Sequence, residues 1–181
     1  PLWRRTDISK LHWERLVPFA PAQRPVADLR ALPPKMHDAL GVYGQRSGLL
    51  VQRDSAKVYH DLAPEVAEQG VIWTDMATAL RDYPELVREH FMADAVGVTT
   101  DKYTALHAAF WNGGTFLYVP DGVSVALPFV SVLWQELPEL AVFPHTLLIA
   151  GKNSSLTLVS ELLSMGCAVS YTHLRAHETV L

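Results

Sequence analysis

The sequence predicts an α+β fold in which a helical and hairpin first half leads into a strand-rich half built of stacked coils. The first observation is a change of period at Asn112-Gly113-Gly114. Before it Tyr103, Leu106 and Phe110 share a helical face; after it Phe116, Tyr118, Val123, Val125 and Leu127 alternate. The second is a weak internal repeat. Thr115-Phe116-Leu117-Tyr118-Val119 aligns with Thr146-Leu147-Leu148-Ile149-Ala150, and Ser124 then falls over Ser155 and Leu127 over Leu158, an offset of 31 residues. A period in that range suggests strand–turn–strand units stacked on one another. The third is a hydrophobic content of 49%, enough for a proper core.

In chain order, Trp3 and Trp13 stand among charges, and Thr6-Asp7-Ile8-Ser9 offers caps for a brief helix. Pro18, Pro21, Pro25, Pro33 and Pro34 make the next segment an extended linker, with a helical turn over Met36 to Tyr43. Gly48 to Leu62 reads as a β-hairpin turning at Arg53-Asp54-Ser55, with Gln52 and Lys57 facing water. Pro64 to Gln69 is a short helix with Pro first and Gly70 just beyond it. Val71-Ile72-Trp73 is a strand. Thr74 or Asp75 starts a helix that Pro84 restarts, with Tyr83, Val87 and Phe91 on one face. Thr100 or Asp101 caps the helix before the double glycine, and Pro120-Asp121-Gly122 turns between two short strands. Phe129 to Leu133 and Leu140 to Phe143 are further strand candidates. Val169 to Leu181 follows neither the alternation nor the repeat. It reads as joined adapter sequence and is excluded from the expected fold. The expected divisions are 1–43 (helical segment and linker), 44–111 (hairpins and helices), 112–168 (coils) and 169–181 (tail).

A net charge of -4 without a long basic run argues against a nucleic-acid surface. The longest nearly apolar run, Val123 to Trp134, is 12 residues, against about 18 to 20 for a membrane-spanning helix. No secretory signal is expected from PLWRRTD, and a single cysteine, Cys167, excludes an internal disulfide and fits a reducing, cytoplasmic setting. His173 and His177 have the spacing of two metal ligands on a helix, yet they sit in the excluded tail without further ligands. His107 reads as a packing or surface residue of its helix, His145 as a loop residue, and His12, His60 and His90 as solvated. Cys167 lacks a nucleophile signature, the glycine turns are neither GxGxxG nor a P-loop, and Asp101 and Asp121 are a cap and a turn residue. No catalytic, cofactor-binding or metal residue is assigned.

Three stretches in order resemble the SufB/SufD family of iron–sulfur cluster assembly proteins. They are Trp3-Arg4-Arg5-Thr6-Asp7-Ile8; then Gly70-Val71-Ile72-Trp73-Thr74-Asp75 with Tyr83-Pro84-Glu85-Leu86 and Phe91; then Asp101-Lys102-Tyr103-Thr104-Ala105-Leu106 with Trp111-Asn112-Gly113-Gly114-Thr115-Phe116 and Tyr118-Val119-Pro120-Asp121-Gly122-Val123. The tryptophan-asparagine-glycine-glycine run and the proline-rich entry are closer to the SufD branch. The resemblance implies a right-handed parallel β-helix core and a non-enzymatic scaffold subunit. It also implies SufB and the ATPase SufC as partners, in a complex that handles an iron–sulfur cluster, with no cofactor of this stretch itself. The later coils and the helices that dock SufC would lie beyond residue 166. Two other readings stay open: the SufB paralogue, and a β-helix enzyme acting on polysaccharide. The second would call for secretion and for carboxylates repeated from coil to coil.

Overall fold

A computed structural model describes residues 12–19, 23–41, 44–93, 97–164 and 173–176. The brief helix expected near Thr6, and Cys167, lie outside them. The architecture is a mixed α and β fold with two mixed sheets. α1 (Pro34–Leu40) opens with proline at its first turn, after a 3-10 turn capped by Asp28. β1 (Gly48–Arg53) and β2 (Ala56–Leu62) form the expected hairpin. Asp54 and Ser55 both have positive φ, the conformation that matches a two-residue turn to the strand twist. α2 (Pro64–Ala67), β3 (Ile72–Asp75), α3 (Met76–Asp82) and α4 (Pro84–His90) follow within a residue or two of expectation. Asp75 caps α3 by accepting from the Thr78 N–H. α5 (Lys102–Phe110) starts at Asp101, which accepts from the Tyr103 and Thr104 N–H groups while the Thr104 hydroxyl accepts from the Asp101 N–H.

The second half consists of β4 (Gly114–Val119), β5 (Phe129–Gln135), β6 (His145–Ala150) and β7 (Leu158–Ser164). One sheet has the order β3-β4-β6, the other β2-β1-β5-β7 with β8 (His173–Ala176) at its edge. β4 and β6 are parallel in the register the repeat gives, Thr115 opposite Thr146 through Val119 opposite Ala150, and Ser124 bridges Ser155. The register then slips by two, because the connection 151–157 is two residues shorter than 120–128. Phe129, not Leu127, therefore pairs with Leu158, and Leu127 is exposed.

Three apolar layers hold these sheets. Between them lie Leu50, Trp73, Leu117, Val119, Phe129 and Leu158, with the Trp73 and Phe129 rings 5.2 Å apart. Outside the larger sheet, Met36 and Leu40 of α1 cover Leu49, Val51, Val130, Val132 and Trp134. Outside the smaller one, Met76, Ala79 and Val87 of α3 and α4 cover Phe116 and Leu147. Strands covered on both faces are apolar on both, which is why β5 reads Phe129-Val130-Ser131-Val132-Leu133-Trp134 without clean alternation.

Four expectations are corrected. Gln52 does not face water: it is buried, and its Oε1 accepts from the Gly114 N–H at 2.8 Å, since β1 is a central strand packed on both faces. Val123 to Leu127 is not a strand, because its pairing is the single bridge of Ser124 to Ser155, made by the Val125 N–H and the Val123 carbonyl. Leu140 to Phe143 likewise yields only a bridge between Leu140 and Val17, its remaining polar needs being met by Asn112, whose Oδ1 accepts from the Phe143 N–H. From the excluded tail, 173–176 pairs antiparallel with β7; the rest of the tail lies outside the described residues.

Gly114 and Gly122 both have positive φ, but only at Gly114 would a Cβ overlap the His145 backbone. Gly114→Ala is expected to cost more than about 3 kcal/mol, combining conformational strain with displacement of β6. Gly122→Ala, with open space around it, is expected to cost about 1–2 kcal/mol from φ alone. Urea denaturation of the two variants reads the difference.

Candidate functional site

Among the described residues, a cleft of about 580 Å³ lies between α5, the edge strand β6 and the end of α4. Met92, Val98, Ala108, Leu147 and Leu148 give it an apolar lining, and His107 and His145 its principal polar groups. α5 brings His107 to the cleft because the Asp101 cap fixes where the helix starts. His145 stands at the head of β6, held by the ladder opposite Gly114. His107 Nε2 and His145 Nδ1 are 3.0 Å apart, one donating to the other. The ring of His145 packs on Phe91, with Trp111 beyond.

The shape of this pair decides its chemistry. Its ring centroids are 5.3 Å apart, which is the N···N distance plus one ring radius at each end, so both rings point along a single line. That is the geometry of a straight hydrogen bond. Two imidazoles sharing a metal ion would converge at an angle and bring their centroids closer for the same N···N distance. Among the described residues no group of three or more metal-ligating side chains is found. Burial holds the pKa of both histidines below the ordinary value, and a charge on His107 would depress His145 further. Both are neutral at pH 7. The site can bind apolar matter and exchange a proton between its imidazoles, and Tyr103, Thr104 and Thr146 also line it.

The remaining sequence candidates are dispersed. His60 Nε2 lies 2.6 Å from the Trp73 carbonyl oxygen and ties β2 to β3; His12 is exposed beside Glu14. Asp121 does more than turn the chain: its Oδ1 accepts from the Lys152 N–H, linking one coil to the next. His173 begins β8 at the edge of the larger sheet, and His177 lies outside the described residues. The meeting of His107 with His145 left no spacing signal, since the two residues are joined only through the ladder.

The other charge centre is structural. Lys57 Nζ lies 2.5 Å from Asp75 Oδ1 and donates to the Thr78 hydroxyl, joining the hairpin to the start of α3. Burial raises the Asp75 pKa, but hydrogen bonds from Lys57 and Thr78 and the Lys57 charge overcome it, and the net shift is downward. A depressed folded-state pKa contributes stability above the unfolded value, about 3.9, and that contribution is lost as pH falls through the folded value. Lys57→Met is therefore expected to lower stability at pH 7 and to flatten its decline below about pH 4. Denaturant midpoints between pH 7 and 3 check both.

Residues 50–129 match the SufBD protein N-terminal region family. The iron–sulfur cluster assembly protein SufD of Bacillus subtilis is 36% identical over 160 residues, 88% of this chain and 37% of that protein. SufBD family proteins of Pyrococcus horikoshii and Staphylococcus haemolyticus are 36% and 30% identical, over 74% and 97% of this chain and 31% and 38% of their own lengths. The chain thus spans about a third of the length of these relatives. Matched family, relatives and motif order agree: the chain belongs to the SufBD family of iron–sulfur cluster assembly proteins and is SufD-like in sequence.

Proposed function

We propose that the chain is the N-terminal region and first coils of a SufD-like scaffold subunit for iron–sulfur cluster assembly. Its contribution is surface and rigidity rather than catalysis, with the cluster as cargo. The single observation that carries this is the in-register parallel stacking of β4 on β6 and of Ser124 on Ser155, within a chain 36% identical to a SufD. A repeat that stacks in parallel can be extended coil by coil, each new coil covering the edge left by the last. On this reading the divisions are 1–43, 44–111 and 112–168, and the coils continue as a right-handed parallel β-helix. In a chain of the relatives' length, SufB is the partner along that β-helix and the ATPase SufC docks on helices beyond it, in the cytoplasm. No residue here is given a role in sulfur or cluster chemistry.

The test is co-purification and complementation with a chain of the relatives' length. That chain is expected to retain SufB and SufC, whereas residues 1–181 alone are expected not to retain SufC. In cells depending on it for cluster assembly, His107→Ala and Cys167→Ala should support growth, and Gly114→Val should not. A dead Cys167→Ala beside a healthy Gly114→Val would contradict the scaffold reading and point to thiol chemistry.

A further inference from the structure

α5 is held to the body in an unusual way. None of its residues is buried, and Phe110 is 39% exposed. A helix of nine residues is too short to be stable by itself in water. Its end is fixed where Asn112 donates to the Pro18 and Ala141 carbonyls and accepts from the Phe143 N–H. Along its length, a polar bond ties α5 to a β-strand, His107 to His145, and both residues line the apolar cleft. We propose that α5 is a cover pivoting at Asn112 over this cleft, latched shut by the imidazole–imidazole hydrogen bond and released when both rings carry a proton.

The proton count explains why release needs two steps. In the neutral pair one proton lies between the facing nitrogens, and the other nitrogen of each ring points away. A first added proton goes to an outward nitrogen and leaves a charge-assisted bond in place. A second must occupy the remaining facing nitrogen, setting two N–H groups and two positive charges head to head at the distance of the former bond. The pair therefore titrates as a unit. Among the described residues no neighbouring group offsets that repulsion, and Glu89 of α4 is exposed. On α5 itself, Lys102 lies over the Tyr103 ring, with its Nζ 5.0 Å from the centroid, and Asp101 is engaged in the helix cap. From α4, His90 lines the same cleft and Glu85 is paired with Arg88. β4 contributes Tyr118, and β6 has no other titratable group. Among the described residues no carboxylate forms an ion pair with either imidazole.

The closed state needs at least one facing nitrogen without a proton. Because burial depresses the folded-state values, the closed state is fully stabilised above about pH 6.5 and weakens as pH falls through the lowered values. That window lies above the one set by Asp75, so opening precedes acid loss of the Lys57–Asp75 pair. Release uncovers the apolar lining of the cleft.

Amide hydrogen exchange of the 181-residue chain at pH 7 and pH 5, corrected for intrinsic rates, tests this, with a dye that binds apolar surface as a second readout. α5 amides are expected to lose protection about tenfold or more at pH 5 while β5 amides keep theirs, with a parallel rise in dye fluorescence. His107→Phe keeps the bulk but removes the bond, and should be open at both pH values. His107→Gln can donate to a neutral His145 or accept from a protonated one, and should stay closed at both. His90→Ala should behave as the unmodified chain. The proposal is overturned if α5 protection is unchanged at pH 5, if the His107 variants follow the unmodified pH profile, or if β5 loses protection in step with α5.

Discussion

The rest of the structure depends on one constraint, the parallel ladder that sets each residue of β4 opposite the residue 31 positions later in β6. The ladder starts where Gly114 and His145 run so close that no side chain fits between them. From that origin the coil turns are stacked. The Gly122 N–H donates to the Lys152 carbonyl, Asp121 accepts from the Lys152 N–H, and the Ser124 and Ser155 hydroxyls meet. The position of His145 follows from the same origin, so the candidate cleft is a product of the ladder and not a separately built pocket.

The hairpin is tied into this coil by polar groups at the end of the inter-sheet core. Gln52 accepts from Gly114, the Thr115 and Ser131 hydroxyls are 2.6 Å apart across the two sheets, and Asp54 accepts from the Glu136 and Leu137 N–H groups just past β5. Buried polar groups left without such partners would cost about 1–3 kcal/mol each, so these contacts specify how the hairpin seats on the coil. β1 and β2 thereby cover the β5 edge within the larger sheet, and α1 covers its outer face. β6 stands at the edge of the smaller sheet.

Much of this was legible from residue pattern where the cause is local. The Asp101 cap, the Pro64 and Pro84 helix starts and the two-residue turn at Asp54-Ser55 depend on neighbours in sequence, and each was placed to within a residue or two. The 31-residue echo was legible because β4 and β6 lie side by side in register, so like residues stand opposite each other. Alternation failed where tertiary burial overrides it: Val123, Val125 and Leu127 alternate, yet the chain there needs only one bridge to stack. Gln52 was misread because a glutamine in a hairpin ordinarily faces water, and its partner lies 62 residues away. The cleft was invisible for the same reason, since His107 and His145 meet only after the ladder has formed.

The coil register can be tested by cross-linking, in a chain with Cys167 replaced by alanine. Ser124→Cys with Ser155→Cys places two thiols where two hydroxyls now touch, within reach of disulfide geometry. This pair is expected to oxidise readily under mild conditions and to raise the melting temperature, while Ser124→Cys with Thr157→Cys, two residues out of register, should stay reduced. Failure of the 124–155 pair to close, with closure of the 124–157 pair, would contradict the stacked register on which the account of this chain as the start of a SufD-like scaffold rests.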